Sequence, residues 1–302
     1  MTVREVAAPA RSTTLLTRAL LGAFARRTEG TLPELELVRR HVTVDHAHLA
    51  AYNQACGFRR ADMLSPTYPF VLAFPLQMEI LTDAAFPFPI IGVVHLQNRI
   101  RQHRPIGLAE PLTLSVRAAN LRPHDKGLQF DTLVTLSVAD EVVWESVSST
   151  LRRQGSGSPA KAARGADAPA ARGADAPAAH AAEQWTVPAD TGRRYASASG
   201  DHNPIHLYPI TARLFGFPRA IAHGMWTKAR CLAALEHSLP DAFSVDVQFK
   251  SPVLLPAQVD FSVERQAGGG TAFGLADSRS GKPHLTGSLM PQLRRNRAWP
   301  AS

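Results

Sequence analysis

The stretch Ala222–Lys250, AHGMWTKARCLAALEHSLPDAFSVDVQFK, carries a helix, its stop and a strand in one run. Met225, Ala229, Leu232 and Leu235 recur at helical spacing and form one apolar face. A helix is predicted over 222–238, ended by Pro240. Phe243–Lys250 then alternates apolar and polar residues, as a half-buried strand does. Gln258–Arg265, Thr271–Asp277 and His284–Met290 continue the series, and Gly268-Gly269-Gly270 reads as a hairpin turn. A helix followed by a run of strands points to α+β: an antiparallel sheet covered on one face by a helix.

The same order occurs earlier in the chain. A helix is expected around Phe70–Thr82, followed by strands at Gly92–Arg101, Leu112–Leu121, Leu128–Val138 and Glu141–Leu151. Both halves also pass from a basic strand end through a Pro-hydrophobic corner into an alternating strand, at Arg104-Pro105-Ile106 and at Ser251-Pro252-Val253. Proline suits a strand end, not a paired interior. A shared pattern at matching places suggests duplication. Between the halves, ARGADAPA occurs twice in tandem, at 163–170 and 171–178. That composition buries too little to offset the entropy of ordering, so it reads as a flexible linker. The expected organisation is an extension (1–34), a first half (35–153), a linker (154–182), a second half (183–295) and a tail (296–302).

Composition excludes several classes. The 302 residues are 45 % hydrophobic, enough for a sizeable core. Net charge is +8, but the basic residues are scattered and no nucleic-acid-binding pattern appears. The charge equally suits coenzyme A phosphates or an acidic acyl carrier protein. Cys56 and Cys231 are far apart with no zinc spacing, and read as buried thiols in a reducing compartment. No apolar run reaches the length of a membrane helix. Arg18 interrupts the apolar patch Leu15–Phe24, so the N-terminus reads as an amphipathic helix or an extension on the body, not a signal peptide. A cytoplasmic protein is expected.

The chemistry is concentrated in Tyr195–Met225, YASASGDHNPIHLYPITARLFGFPRAIAHGM. Ser199-Gly200-Asp201 is a turn, and Asn203-Pro204 is a helix start, with Asn as cap and Pro in first position. His206 follows about one turn later, so Asp201 and His206 can aim at one small volume. A carboxylate and an imidazole sharing one water are what reversible hydration requires. Enolate charge on a thioester oxygen also needs donors, which a helix N-terminus at His223-Gly224-Met225 can supply. The residues alone leave capping and catalysis both open.

Gly200-Asp201-His202-Asn203-Pro204-Ile205-His206 resembles the signature of the R-specific enoyl-thioester hydratases, the MaoC-like "hydratase 2" group. The resemblance implies a double hotdog fold: two antiparallel sheets, each wrapping a central helix, packed as a pseudo-dimer. It implies Asp201 and His206 as the catalytic pair, with Asn203 and Gly200 shaping the turn and the Gly224 amide on the thioester oxygen. His223, Met225 and Tyr195 are expected to contact substrate. The first half is similar to the degenerate repeat of double-hotdog dehydratases of actinobacteria, with Tyr52-Asn53-Gln54-Ala55-Cys56-Gly57 where the motif would stand. One site per chain follows. The implied substrate is a trans-2-enoyl or (3R)-3-hydroxyacyl thioester of coenzyme A or acyl carrier protein, with no cofactor and no metal. Oligomeric state is not fixed by sequence, and a homodimer is compatible with it. Two other readings are a thioesterase and a non-catalytic acyl-binding protein, since hotdog folds host several activities. His46, His48 and His202 read as exposed, and Arg213, Arg219 and Lys228 as a solvated helix face.

Overall fold

The computed structural model describes residues 1–8, 10, 14, 15, 17, 18, 30–90, 93–153 and 183–292. The linker expected over 154–182, the tail and most of the N-terminal amphipathic patch lie outside the described residues. The first half contains β1 (Thr2–Glu5), β2 (Leu35–Val42), α1 (His46–Cys56), α2 (Tyr68–Leu81), β3 (Val93–Gln102), β4 (Leu112–His124), β5 (Gly127–Val138) and β6 (Glu141–Arg153). The second contains β7 (Glu183–Val187), α3 (Thr191–Ser199), a 3-10 turn (Pro204–His206), α4 (Pro209–Leu214), α5 (Gly224–Ala234) and a second 3-10 turn (Glu236–Ser238). The strands β8 (Phe243–Phe249), β9 (Ala257–Arg265), β10 (Thr271–Asp277) and β11 (Pro283–Pro291) complete it.

The strands form one sheet in the order β1-β2-β4-β5-β6-β3-β8-β11-β10-β9-β7. Outward from the seam, β3-β6-β5-β4-β2 on one side mirrors β8-β11-β10-β9-β7 on the other. The antiparallel pair β3 and β8 joins the two, with Asn98 opposite Val247 and Ile100 opposite Val245. This is the double hotdog, with α2 and α5 as the two central helices. The N-terminal segment adds β1 to the far edge, parallel to β2.

Both central helices form because their side chains fill the core. Tyr68, Val71, Leu76 and Ile80 of α2, and Trp226, Ala229 and Leu232 of α5, are buried. α2 is apolar on nearly every side, so periodicity marks it weakly. It also contains Pro75, which removes a helical N–H. Gln77 Nε2 supplies a buried donor to the same turn, reaching the Phe70 carbonyl at 3.1 Å. The helix expected over 222–238 is shorter. It ends at Ala234, and Glu236–Ser238 tightens into a 3-10 turn. There the Glu236 carboxylate accepts from the backbone N–H groups of Arg59 and Arg60, at 2.9 and 3.1 Å. The helix end is thus tied to the first half.

The internal symmetry also relocates one comparison. α1 ends at Gly57 (φ 88°) as α3 ends at Gly200 (φ 76°). The counterpart of Asp201 is therefore Phe58, and the expected match at Tyr52–Gly57 is displaced, because those residues form the end of α1 itself.

Candidate active site

The site is built on three consecutive turns. α3 stops at Ser199, with Gly200 in the left-handed conformation that only glycine adopts without strain. Asp201 follows, its N–H on Ser199 Oγ at 3.2 Å and its Oδ1 accepting from Asn203 N at 3.2 Å. Asn203 caps the 3-10 turn through Ile205 N, and Pro204 takes its first position. This places His206, 8 % exposed, facing inward.

His206 Nδ1 lies 2.8 Å from the Ile221 carbonyl. A carbonyl only accepts, so Nδ1 carries the proton and Nε2 offers a lone pair. His223 lies alongside. Its Nε2 donates to the Asp201 carbonyl at 3.0 Å and sits 3.8 Å from Asp201 Oδ2. The two imidazoles stack with centroids 3.7 Å apart and planes 26° from parallel. Burial pushes both below the usual imidazole range, His223 well below; Asp201 opposes this for His206. Two stacked imidazolium ions would repel, so the stack disfavours protonation of both rings together.

Asp201, His206 and His223 each offer a ligand atom within 4.8 Å of the others. Imidazole lone pairs lie in the ring plane, and rings stacked nearly parallel direct them side by side, not onto one point as a zinc site needs. The donor set suits acid/base chemistry better.

α5 begins at Gly224, with His223 as its N-cap and no side-chain cap bond. Its first N–H groups therefore lack intrahelical and side-chain acceptors. A Cβ on Gly224 would lie 3.2 Å from Phe249 Cε1. The sequence suggests that this glycine lets a carbonyl approach. The structure gives a second reason, the closeness of the Phe249 ring. Of the residues expected to contact substrate, Tyr195 is buried, with its ring 4.8 Å from His223 and 6.0 Å from Tyr52. Met225 is buried in α5. His223 contacts the Asp201–His206 turn itself.

Residues 174–281 match the MaoC like domain. The chain is also 39 % identical over 279 residues to 3-hydroxyacyl-thioester dehydratase X of Mycobacterium tuberculosis, covering 91 % of this chain and 96 % of that protein. The chain belongs to the MaoC-like family. The crystal structure of HtdX from Mycobacterium tuberculosis superposes on this MaoC-like chain with a TM-score of 0.73 at 38 % identity, over 85 % of this chain and 100 % of that one. A MaoC-like dehydratase from Phytophthora capsici shares the fold at 18 % identity, TM-score 0.69, over 87 % and 97 % of the two chains.

Several features of this MaoC-like site escaped the sequence. Gly192 lies in α3, where a Cβ would stand 1.9 Å from the His206 carbonyl oxygen. Glycine is what lets α3 and the His206 turn touch. His95, from β3 of the first half, packs between Phe249 (5.0 Å) and Phe70 (6.5 Å). Its Nε2 is buried without a partner, and burial pushes its pKa down to about 4, with Lys228 adding to the shift and Asp201 opposing it. No local motif marks either residue.

Lys228 contradicts the solvated-face expectation. It is 0 % exposed, and Nζ reaches Asn98 Oδ1 (2.5 Å), Asn98 O (2.9 Å) and Val245 O (3.5 Å). It looks inward because α5 is a central helix, so even its polar positions meet the seam. Asn98 in turn donates to Ser146 and Ser148 Oγ, both at 2.9 Å. His48 is likewise not free, its Nδ1 lying 2.7 Å from Tyr68 Oη. Cys56 and Cys231 are buried free thiols, and burial pushes Cys56 up to about 12 and Cys231 higher still. Neither suits a nucleophile.

Proposed function

We propose that the chain adds water reversibly across the 2,3-bond of a trans-2-enoyl thioester, giving the (3R)-3-hydroxyacyl thioester, with Asp201 and His206 as the acid/base pair. The observation that carries this is the convergence of the Asp201 carboxylate and His206 beside the open N-terminus of α5. A water placed between the two acceptors has both hydrogens held and a lone pair free for C3. In hydration its oxygen bonds to C3, one O–H bond breaks, and the pair returns one proton to C2. The transient negative charge on the thioester oxygen meets the Gly224 N–H. Asn203 and Gly200 hold the turn. Acid/base groups of this kind supply roughly 10²–10⁴-fold each. The 3-hydroxyacyl-thioester dehydratase of Mycobacterium tuberculosis supports the same chemistry.

We assign the catalytic hotdog to 183–295 and the partner repeat to 35–153, with 1–34, 154–182 and 296–302 as extension, linker and tail. The buried free thiols suit a reducing compartment, and we place the enzyme in the cytoplasm. No described helix is long and apolar enough to cross a membrane.

The carrier end of the substrate fits a recess of about 880 Å³ between α4 and the turns at 251–258 and 277–282. Arg213, Arg219, Arg279 and Lys282 line it against one carboxylate, Asp277, which is itself bound to Ser280. Leu254 in its wall bridges to Ile221, whose carbonyl holds His206. Coenzyme A and the acyl carrier prosthetic group both bring phosphate, which this charge favours.

The test follows enoyl-thioester absorbance with crotonyl, octenoyl and dodecenoyl substrates, in wild type, Asp201→Asn and His206→Ala. Wild-type turnover lost in both variants is expected. Release of free thiol by the wild type would instead establish a thioesterase. That reading has a structural basis, since the 12:0-ACP thioesterase of Umbellularia californica shares the fold at 9 % identity, TM-score 0.52, over 85 % of this chain and 98 % of that one.

A further inference from the structure

His223 makes two contacts with the catalytic pair yet has no part in the proton transfers above. It donates Nε2–H to the Asp201 carbonyl at 3.0 Å, and its ring covers His206 at 3.7 Å. Tyr195 backs it at 4.8 Å. With Nε2 donating, Nδ1 is a bare acceptor, and that atom is buried without a partner. A buried polar atom left unpaired calls for a reason. Position supplies one. His223 is the N-cap of α5, where a side chain ordinarily turns back and accepts from the N2 or N3 N–H. Here it makes no such bond. The hydrogen bond to Asp201 draws the imidazole toward the catalytic turn, so the helix donors stay unoccupied.

We propose that His223 is a positioning residue: it fixes the Asp201 peptide and the His206 ring in one geometry while leaving the first N–H groups of α5 open to the thioester oxygen. This rests on the hydration reading. It also accounts for the unpaired Nδ1, because either partner that would satisfy it, a helix N–H or a proton with its own acceptor, would disturb the site. The titratable groups facing the two rings are Asp201 and His202 from the turn and Tyr195 from α3, and Asp201 also interacts with His95 of β3, which in turn feels Lys228 of α5.

Two substitutions in the full chain separate the parts. His223→Phe keeps a ring over His206 and loses the donor. His223→Gln keeps an N–H donor and loses the ring. With crotonyl-coenzyme A, His223→Phe is expected to lower kcat by about 10–100-fold with KM nearly unchanged, the penalty of a misplaced catalytic group. His223→Gln is expected to move the acid limb of kcat/KM upward, because water reaches His206. Nitrogen-15 NMR of the His206 ring gives a readout independent of turnover: the ring is expected to keep the Nδ1–H tautomer that the Ile221 carbonyl sets and to titrate higher in His223→Gln. Wild-type kcat in folded His223→Phe, together with a wild-type acid limb and His206 titration in folded His223→Gln, would overturn the proposal. If the wild type shows no hydration, the functional reading fails, and the NMR comparison alone then decides whether His223 orders His206.

Discussion

Gly192→Ala is a one-carbon change whose consequence can be worked out from the structure. The added Cβ would lie 1.9 Å from the His206 carbonyl oxygen and 2.9 Å from its carbonyl carbon. Ordinary contact needs about 3.2 Å or more, so α3 and the His206 turn must separate by roughly 1.3 Å. The clash is with backbone, and no side-chain rotation relieves it. Such overpacking costs about 1–3 kcal/mol of stability. The effect on rate should be of similar size, about 2.7 kcal/mol. A displacement near 1 Å of a catalytic group is worth about 10²-fold, and the moving segment carries His206, one of the proposed acid/base pair. The assay is hydration of crotonyl-coenzyme A beside a denaturant melt, with Gly281→Ala as control. Gly281 also has positive φ (67°), but nothing lies within 4 Å of its added carbon, so it should lose about 1 kcal/mol and no activity. A folded Gly192→Ala protein with wild-type kcat would refute the claim that this contact sets the position of His206.

Three other outcomes are expected. The His95 pKa is near 4 when folded against 6.5 unfolded, so the unfolded chain binds more protons between these values and stability falls as pH drops from 6.5 to 4. The contribution is at most about 3 kcal/mol, and His95→Phe should reduce that slope in melts taken across the range, leaving the part due to His206 and His223. Glu236→Ala strips the acceptor from two backbone N–H groups and should cost about 2 kcal/mol in urea unfolding, with kcat little changed. Arg213→Ala and Arg219→Ala should raise KM about 3–10-fold, one weakened phosphate contact each, for coenzyme A thioesters, and leave KM for N-acetylcysteamine thioesters unaltered.

The second half was the more legible part of the sequence. Phe243–Phe249 alternates cleanly because one face meets the core and the other does not, and Thr271–Asp277 shows as a short apolar run because Ala272 to Leu275 are buried on both faces. The Asp201–His206 turn was legible for a different reason: Gly200, Asn203 and Pro204 each have a local conformational role that their chemistry announces. What the sequence hid depends on contacts between distant segments. Lys228 sits on a helix whose polar positions look outward on paper, yet its partner Asn98 is 130 positions away in another strand. His95 lies in a strand with no motif and gains its meaning from Phe249 and Asp201. Gly192 resembles any glycine in a helix until the His206 turn is folded against it. α2 gave a weak signal because a helix enclosed by a sheet has no polar face to contrast with its apolar one.

The most direct test of the central claim is to follow the oxygen of the added water. In ¹⁸O-water, crotonyl-coenzyme A with the wild-type chain should give 3-hydroxybutyryl-coenzyme A carrying one heavy atom, on C3, and Asp201→Asn or His206→Ala should give none. Heavy oxygen in free crotonate, with coenzyme A thiol released alongside, would contradict it.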